Sequence, residues 1–146
     1  MKLIKLGVLS LALAASTATY AGEVVIQAGA REFLPLVVQA QPGDTILWKG
    51  MAAGHNTKSF DGMIPEGAQP WESKLNEDYH MTVEKEGAYA YVCVPHASFG
   101  MVGVIVVGNG KPANLGQLKN VAEQKKGMEA RSYKKLVAWL KENGVE

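Results

Sequence analysis

The hydrophobic period of this chain changes once, at Gly108-Asn109-Gly110. Before that point apolar residues come in short runs broken by turn signals. After it they recur at helical spacing. A chain patterned this way folds as a sheet structure with helices added after it. The strand-like runs are Glu23 to Gln27, Leu36 to Gln39, Thr45 to Lys49, Met81 to Val83, Ala88 to Val92 and Val102 to Val107. Pro42-Gly43-Asp44 and Glu86-Gly87 supply turns between them. Tyr89 and Tyr91 share one face of their strand. Val102 to Val107 is apolar throughout, which predicts a strand covered on both faces. Together these runs predict a mainly β fold, an antiparallel sandwich. Beyond the break, Asn114 is placed to cap a helix carrying Leu115, Leu118, Val121 and Ala122. A second helix is expected from about Glu129 to Asn143, with Tyr133, Leu136, Val137 and Leu140 as its apolar stripe and Gly144 as its stop. Both stripes read as core packing that covers an open side of the sandwich.

The start of the chain is set apart from the fold. Lys2 and Lys5 precede an apolar stretch from Leu6 to Ala15, followed by small and polar residues up to Thr19-Tyr20-Ala21. This is the layout of a secretory signal cleaved after Ala21, and the apolar run is shorter than the ~20 residues that span a bilayer. The expected organisation is a signal over residues 1–21, a sandwich over 22–110 and a helical extension of the same domain over 111–146. No membrane span is expected once the signal is removed. Without Lys2 and Lys5 the chain holds 13 basic and 14 acidic residues, a net charge of −1. Residues 22–110 carry 5 basic and 10 acidic residues, and residues 111–146 carry 8 basic and 4 acidic. This balance argues against a nucleic-acid binder, whose positive charge dominates a whole face.

Cys93 is the single cysteine. In an exported chain a lone cysteine is buried and inert, paired with another chain, or bound to metal. Its neighbours decide. Cys93-Val94-Pro95-His96-Ala97-Ser98-Phe99-Gly100-Met101 spells C-x2-H-x4-M between two predicted strands. Alone, Cys93 reads as a small hydrophobe and Met101 as core. Together, a thiolate, an imidazole and a thioether within one loop match the mixed ligands that suit both oxidation states of copper. Zinc, which prefers four firm ligands, gains little from a thioether. An electron-transfer copper site needs a second histidine. His55 is the preferred candidate, in the irregular stretch between Gly50 and Asp78, although nothing local selects it over His80. Long irregular segments in compact domains are often functional. His80, beside Tyr79 at a strand start, reads as a surface histidine.

On these residues the chain resembles the cupredoxins, and most closely the pseudoazurins. Gln41-Pro-Gly-Asp44, Gly54-His-Asn56, Met63-Ile-Pro-Glu-Gly-Ala68, Ser73-Lys-Leu-Asn-Glu-Asp-Tyr79, Gly87-Ala-Tyr89 and Pro112-Ala-Asn-Leu115 carry the resemblance over most of the chain after residue 21. It implies a cupredoxin-like Greek-key β-sandwich of about eight strands with two C-terminal α-helices. It also implies one copper ion in a type 1 blue site, with His55, Cys93 and His96 as strong ligands and Met101 as the axial one. Asn56 is then expected to tie the two ligand loops together, its backbone N–H meeting the thiolate. Pro95 removes a backbone donor near the sulfur. The segment from Gln27 to Leu36 is shorter than is usual in that family, and Phe99 stands where other side chains are common. The sandwich has few cations, Arg31, Lys49, Lys58, Lys74 and Lys85.

The function expected is a periplasmic one-electron carrier, not an enzyme. Its partners by resemblance are periplasmic redox proteins such as a copper nitrite reductase, another terminal reductase or a dehydrogenase. A monomer is expected, with electrons leaving at the edge of His96 through a docking patch of Pro35, Ala97 and Phe99. The alternative is a periplasmic copper carrier or chaperone. Met51, Met63 and Met81 are scattered along the chain, whereas such carriers expose clustered methionines.

Overall fold

The computed structural model describes residues 21–142 and 144–145. The proposed signal therefore lies, apart from Ala21, outside the described residues. Eight strands form two sheets: β1 (Glu23–Ala28), β2 (Phe33–Leu34), β3 (Val37–Ala40), β4 (Thr45–Lys49), β5 (Lys58–Ser59), β6 (Tyr79–Thr82), β7 (Gly87–Val92) and β8 (Val102–Val107). The first sheet has the order β2-β1-β4-β6 and the second β3-β8-β7-β5. Two helices follow, α1 (Leu115–Gln124) and α2 (Gly127–Glu142). Among the described residues no helix is long and apolar enough to cross a membrane.

The sandwich is mixed, which corrects the antiparallel expectation. β1 pairs parallel with β4, and β3 parallel with β8. After β2 the chain crosses to the second sheet as β3 and returns as β4 beside β1, so β4 runs in the direction of β1. Such crossovers are invisible in local hydrophobic pattern. Two strands of two residues, β2 and β5, were also beyond the reach of periodicity.

The second sheet is the middle of three layers, and its sequence says so. On β7, Tyr89 and Tyr91 face the first sheet, while Ala88, Ala90 and Val92 face the helices. On β8, Ile105 and Val107 face inward, and Val102, Val104 and Val106 face the helices. All residues of both strands are buried. Leu115, Leu118 and Ala122 of α1 and Tyr133, Leu136 and Leu140 of α2 fill the helix side. The expected stripes are thus core, and truncating one such leucine to alanine costs about 2–5 kcal/mol in comparable cores. Gly103 is the one small residue in β8 for a steric reason: a Cβ there would overlap the Tyr91 hydroxyl and ring.

Asn114 stands at the N-cap of α1, but its side chain makes no cap bond. Its amide instead pairs with β7, accepting from the Ala88 N–H at 2.8 Å and donating to the Ala88 carbonyl at 2.7 Å. β5 covers only the Tyr91–Val92 end of that strand. Further along, Phe60 donates to the Ala90 carbonyl at 3.0 Å and Ala90 donates to Met63 at 2.9 Å. Asn114 continues this series, because a buried strand leaves no water to satisfy its backbone.

Candidate metal centre

β7 ends and β8 begins as neighbours, with Val92 opposite Val102. The intervening loop must therefore close on itself. Cys93 N–H donates to the Met101 carbonyl at 2.9 Å, which carries the ladder one step beyond the strands and fixes both sulfur-bearing residues. Val94–Phe99 then forms a 3-10 turn with Pro95 at its start. Proline suits that position, since its fixed φ matches and the missing N–H would lack a helical partner anyway. His96 N–H donates to the Cys93 carbonyl at 3.1 Å. Gly100 takes a left-handed conformation, φ 78°, and its N–H donates to Ala97 at 2.9 Å. Only a residue without a Cβ adopts that φ readily.

His55 arrives from the irregular segment. Met51–Gly54 forms a turn, and His55 N–H donates to the Met51 carbonyl at 3.2 Å. Distant polar side chains hold this turn. Asp78 accepts from Met51 N–H at 3.1 Å, and Asn76 accepts from Gly54 N–H at 2.8 Å. Asn76 N–H in turn donates to the His55 carbonyl at 2.9 Å, with Asn76 itself at φ 66°. Further on, Ser73 Oγ accepts from Thr57 N–H at 3.0 Å, and Trp71 Nε1 donates to Thr57 Oγ1 at 3.2 Å. Asn56 links the two segments: its side-chain oxygen accepts from Val94 N–H at 2.8 Å.

The result is a convergence of three donors. One ligand atom each from His55, Cys93 and His96 lies within 4.8 Å of the others. Cys93 Sγ is 3.7 Å from His55 Nδ1 and 3.3 Å from His96 Nδ1. The two rings lie 4.8 Å apart, tilted by 42°. Cys93 and His55 are buried, whereas His96 is half-buried. Burial lowers the pKa of His55 below the usual histidine value, and the charge on His96 lowers it further. A neutral imidazole keeps a lone pair available to a cation. One unpaired thiol and two imidazole nitrogens, without a carboxylate in the group, fit a copper ion better than a hard oxygen-seeking cation.

The other expected residues fall into place unevenly. Met101 is fully buried in the same core cluster as Cys93. Pro95 is exposed at the start of the 3-10 turn. His80 is an exposed residue of β6 opposite Leu47 and is not part of the donor group. Phe99 is exposed, with its ring 6.2 Å from that of His96. Ala97 is half-buried against the helix-side core. Pro35 is exposed between β2 and β3. Sequence reasoning gave no role to Asn76 or Asp78, although an asparagine in a polar turn is the residue type that tolerates positive φ. It also missed that the Arg31 guanidinium lies over the Phe99 ring, 4.2 Å from its centre.

Residues 20–108 match the family described as copper binding proteins, plastocyanin/azurin family, and the chain belongs to it. Within the family it sits with the pseudoazurins. It is 39% identical to pseudoazurin of Paracoccus pantotrophus over 103 residues, 70% of each chain. It is 33% identical to pseudoazurin of Methylorubrum extorquens over 129 residues, 84% of this chain and 86% of that one. The crystal structure of pseudoazurin from Methylobacterium extorquens AM1 superposes with a TM-score of 0.72 at 31% identity, covering 81% of this chain and 98% of that one. The cupredoxin-like fold and the single copper ion expected from sequence are thus borne out. Pseudoazurins are copper electron-transfer proteins, not enzymes, and the chain takes that class from its family.

Proposed function

We propose that this chain is a soluble periplasmic type 1 blue copper protein that carries single electrons between redox proteins. His55, Cys93 and His96 are its strong ligands and Met101 its weak axial one. The observation that carries this reading is a buried thiol converging with two imidazoles, only one of which reaches toward solvent. Bound copper supplies the one-electron chemistry by cycling between its two oxidation states. The protein supplies geometry. Cys93 and Met101 are clamped by the ladder bond, and Asn56 locks the His55 segment to the ligand loop. Donors held this firmly move little when charge changes.

His96 is the route out, since His55 and Cys93 are closed off. Apolar side chains stand exposed around that end of the sandwich. Val94 at 46% and Phe99 at 47% belong to the ligand loop, and Leu75 at 50% precedes Asn76, which bonds His55. Exposed apolar side chains grouped at one end suit brief docking. We place Phe99, Ala97 and Pro35 in that docking patch. The partners this serves are periplasmic redox proteins, a copper nitrite reductase, another terminal reductase or a dehydrogenase among them. The protein works as a monomer after export by the signal over residues 1–21. A copper-delivery role is disfavoured because Met51 and Met63 are fully buried and cannot offer a surface for handing over Cu(I). Absorption and voltammetry of the copper-loaded protein test the reading. An intense visible band for Cu(II) and a reversible one-electron wave are expected; a colourless Cu(II) form would contradict it.

A further inference from the structure

Gly108-Asn109-Gly110 marks the change from strand to helix, and electron transfer gives it no task. It follows β8, whose first residue, Val102, adjoins the ligand loop, so it lies at the end of the sandwich away from the metal centre. β3 and the residue after it grip the first two positions. Gly108 N–H donates to the Ala40 carbonyl at 2.9 Å, and the Gln39 side chain donates to the Gly108 carbonyl. Gln41 Nε2 donates to Asn109 Oδ1 at 2.7 Å. Gly110 is held differently: its N–H has no hydrogen-bond partner among the described residues. Asn109 and Gly110 are both exposed, and they line a cavity of about 300 Å³ that also touches Gly144 and Val145 near the end of the chain.

An asparagine followed by glycine can react with its own backbone. The glycine nitrogen attacks the asparagine Cγ, and no Cβ on the following residue crowds the ring that closes. The attack needs a backbone N–H that can lose its proton, so an amide committed to a hydrogen bond resists it. Gly110 meets that need, being exposed and unbonded. Gln41 stands at the electrophile. A donor on Oδ1 polarises the amide carbonyl and stabilises the negative charge that gathers on that oxygen during attack. We propose that Asn109 is a site of spontaneous deamidation, assisted by Gln41. The Gly110 nitrogen gives its proton to hydroxide and bonds to Cγ. The Cγ–Nδ2 bond then breaks, and ammonia departs after taking a proton from water. Water opens the resulting succinimide at either carbonyl, leaving aspartate or isoaspartate in place of Asn109. No electrons are gained or lost. Each event adds one negative charge. The isoaspartate product also lengthens the main chain by one carbon, in the short link to Asn114 and its pairing with Ala88.

The chain carries its own comparison. Asn143-Gly144 is the other Asn-Gly pair, and there Gly144 N–H donates to the Lys141 carbonyl at 3.2 Å. The folded protein should therefore convert Asn109 before Asn143. The test keeps the copper-loaded protein in mildly alkaline buffer and follows it by peptide mass spectrometry, with fragmentation to place each gain of one mass unit. Asn109→Asp supplies the chromatographic standard for the aspartate product. Aspartate and isoaspartate should accumulate at position 109, with ammonia released in equal amount, at a rate that rises with pH. Gly110→Ala should slow conversion about tenfold by crowding ring closure. That variant keeps the fold, since its Cβ meets open space and Gly110 lies outside the left-handed region. Gln41→Ala should slow conversion about threefold, the scale of one exposed hydrogen bond. In urea, positions 109 and 143 should convert at similar rates. Conversion of Asn143 ahead of Asn109 in the folded protein overturns the proposal. So does an Asn109 that stays intact in the folded protein while converting in urea, or a Gln41→Ala variant that converts as fast as the parent.

Discussion

The two segments that meet at the metal centre are built on different principles. Cys93, His96 and Met101 ride on a loop held by backbone bonds within itself and by the ladder of β7 and β8. His55 rides on the stretch from Gly50 to Asp78, where the described strand is two residues long. That stretch is held by polar side chains that cap backbone groups, from Asn76 and Asp78 at Met51–His55 and from Ser73 at Thr57. The first segment inherits its shape from a sheet buried on both faces. The second has its shape assembled bond by bond. Asn56 is the junction, taking its position from one segment and donating order to the other. A metal site built in this way keeps two donors rigid by default and depends on a small polar network for the third.

This contrast can be broken at several points. The largest effect is expected from Cys93→Ala, which should abolish the visible absorption of the copper protein altogether, since no other thiol exists in the chain. Residual blue colour would remove the ligand loop from its central place. Met101→Gln tests the proposed axial role of that residue: copper should stay bound and coloured while the reduction potential falls, because a weak axial ligand tunes potential and does not hold the ion; loss of copper on dialysis would count against that role. Asn56→Ala should lower stability by about 1–2 kcal/mol in chemical unfolding, the net loss of one partly buried hydrogen bond and its orphaned donor. It should also loosen both segments in amide exchange. By contrast, Asn76→Ala should speed exchange at residues 54–57 and leave 93–101 protected. Asn76→Gly should be milder by about 1 kcal/mol, because it removes the same bond without straining a positive φ. Equal loosening of both segments would erase the comparison.

The smallest effect lies outside both segments. Gln41 and Gly22 N–H groups hold the Asp44 carboxyl below its usual pKa. The unfolded state then binds the proton more readily than the folded one. The contribution of Asp44 to stability is present above the unfolded value and lost as pH falls through the folded one. Asp44→Asn should therefore flatten the acid side of the stability profile while leaving the copper spectrum alone.

The same contrast explains what could be read from sequence. β1, β4 and β8 were legible almost to the residue, because each buries an apolar run whose period is set by the pleat. The Cys93–Met101 loop was legible because its chemistry is written within nine consecutive residues. The stripes of α1 and α2 were legible for the same local reason. The parallel pairing of β1 with β4 was not, since pairing is decided by crossovers that leave no periodic trace. Asn114 carries the signature of a helix cap, yet the needs of Ala88 on a strand far away in sequence claim its side chain. His55 could not be separated from His80 by spacing, because what selects it is a network converging from Asn76, Asp78 and Asn56.

The central claim is that the protein presents one sulfur and two nitrogens to copper in an arrangement it already holds. Copper X-ray absorption measured on both oxidation states of the same sample tests it most directly. The account predicts one short copper–sulfur and two copper–nitrogen contacts that persist, with little change in length, on reduction. A Cu(II) site of nitrogen and oxygen donors without the thiolate, or a ligand set that changes between the two states, would contradict it.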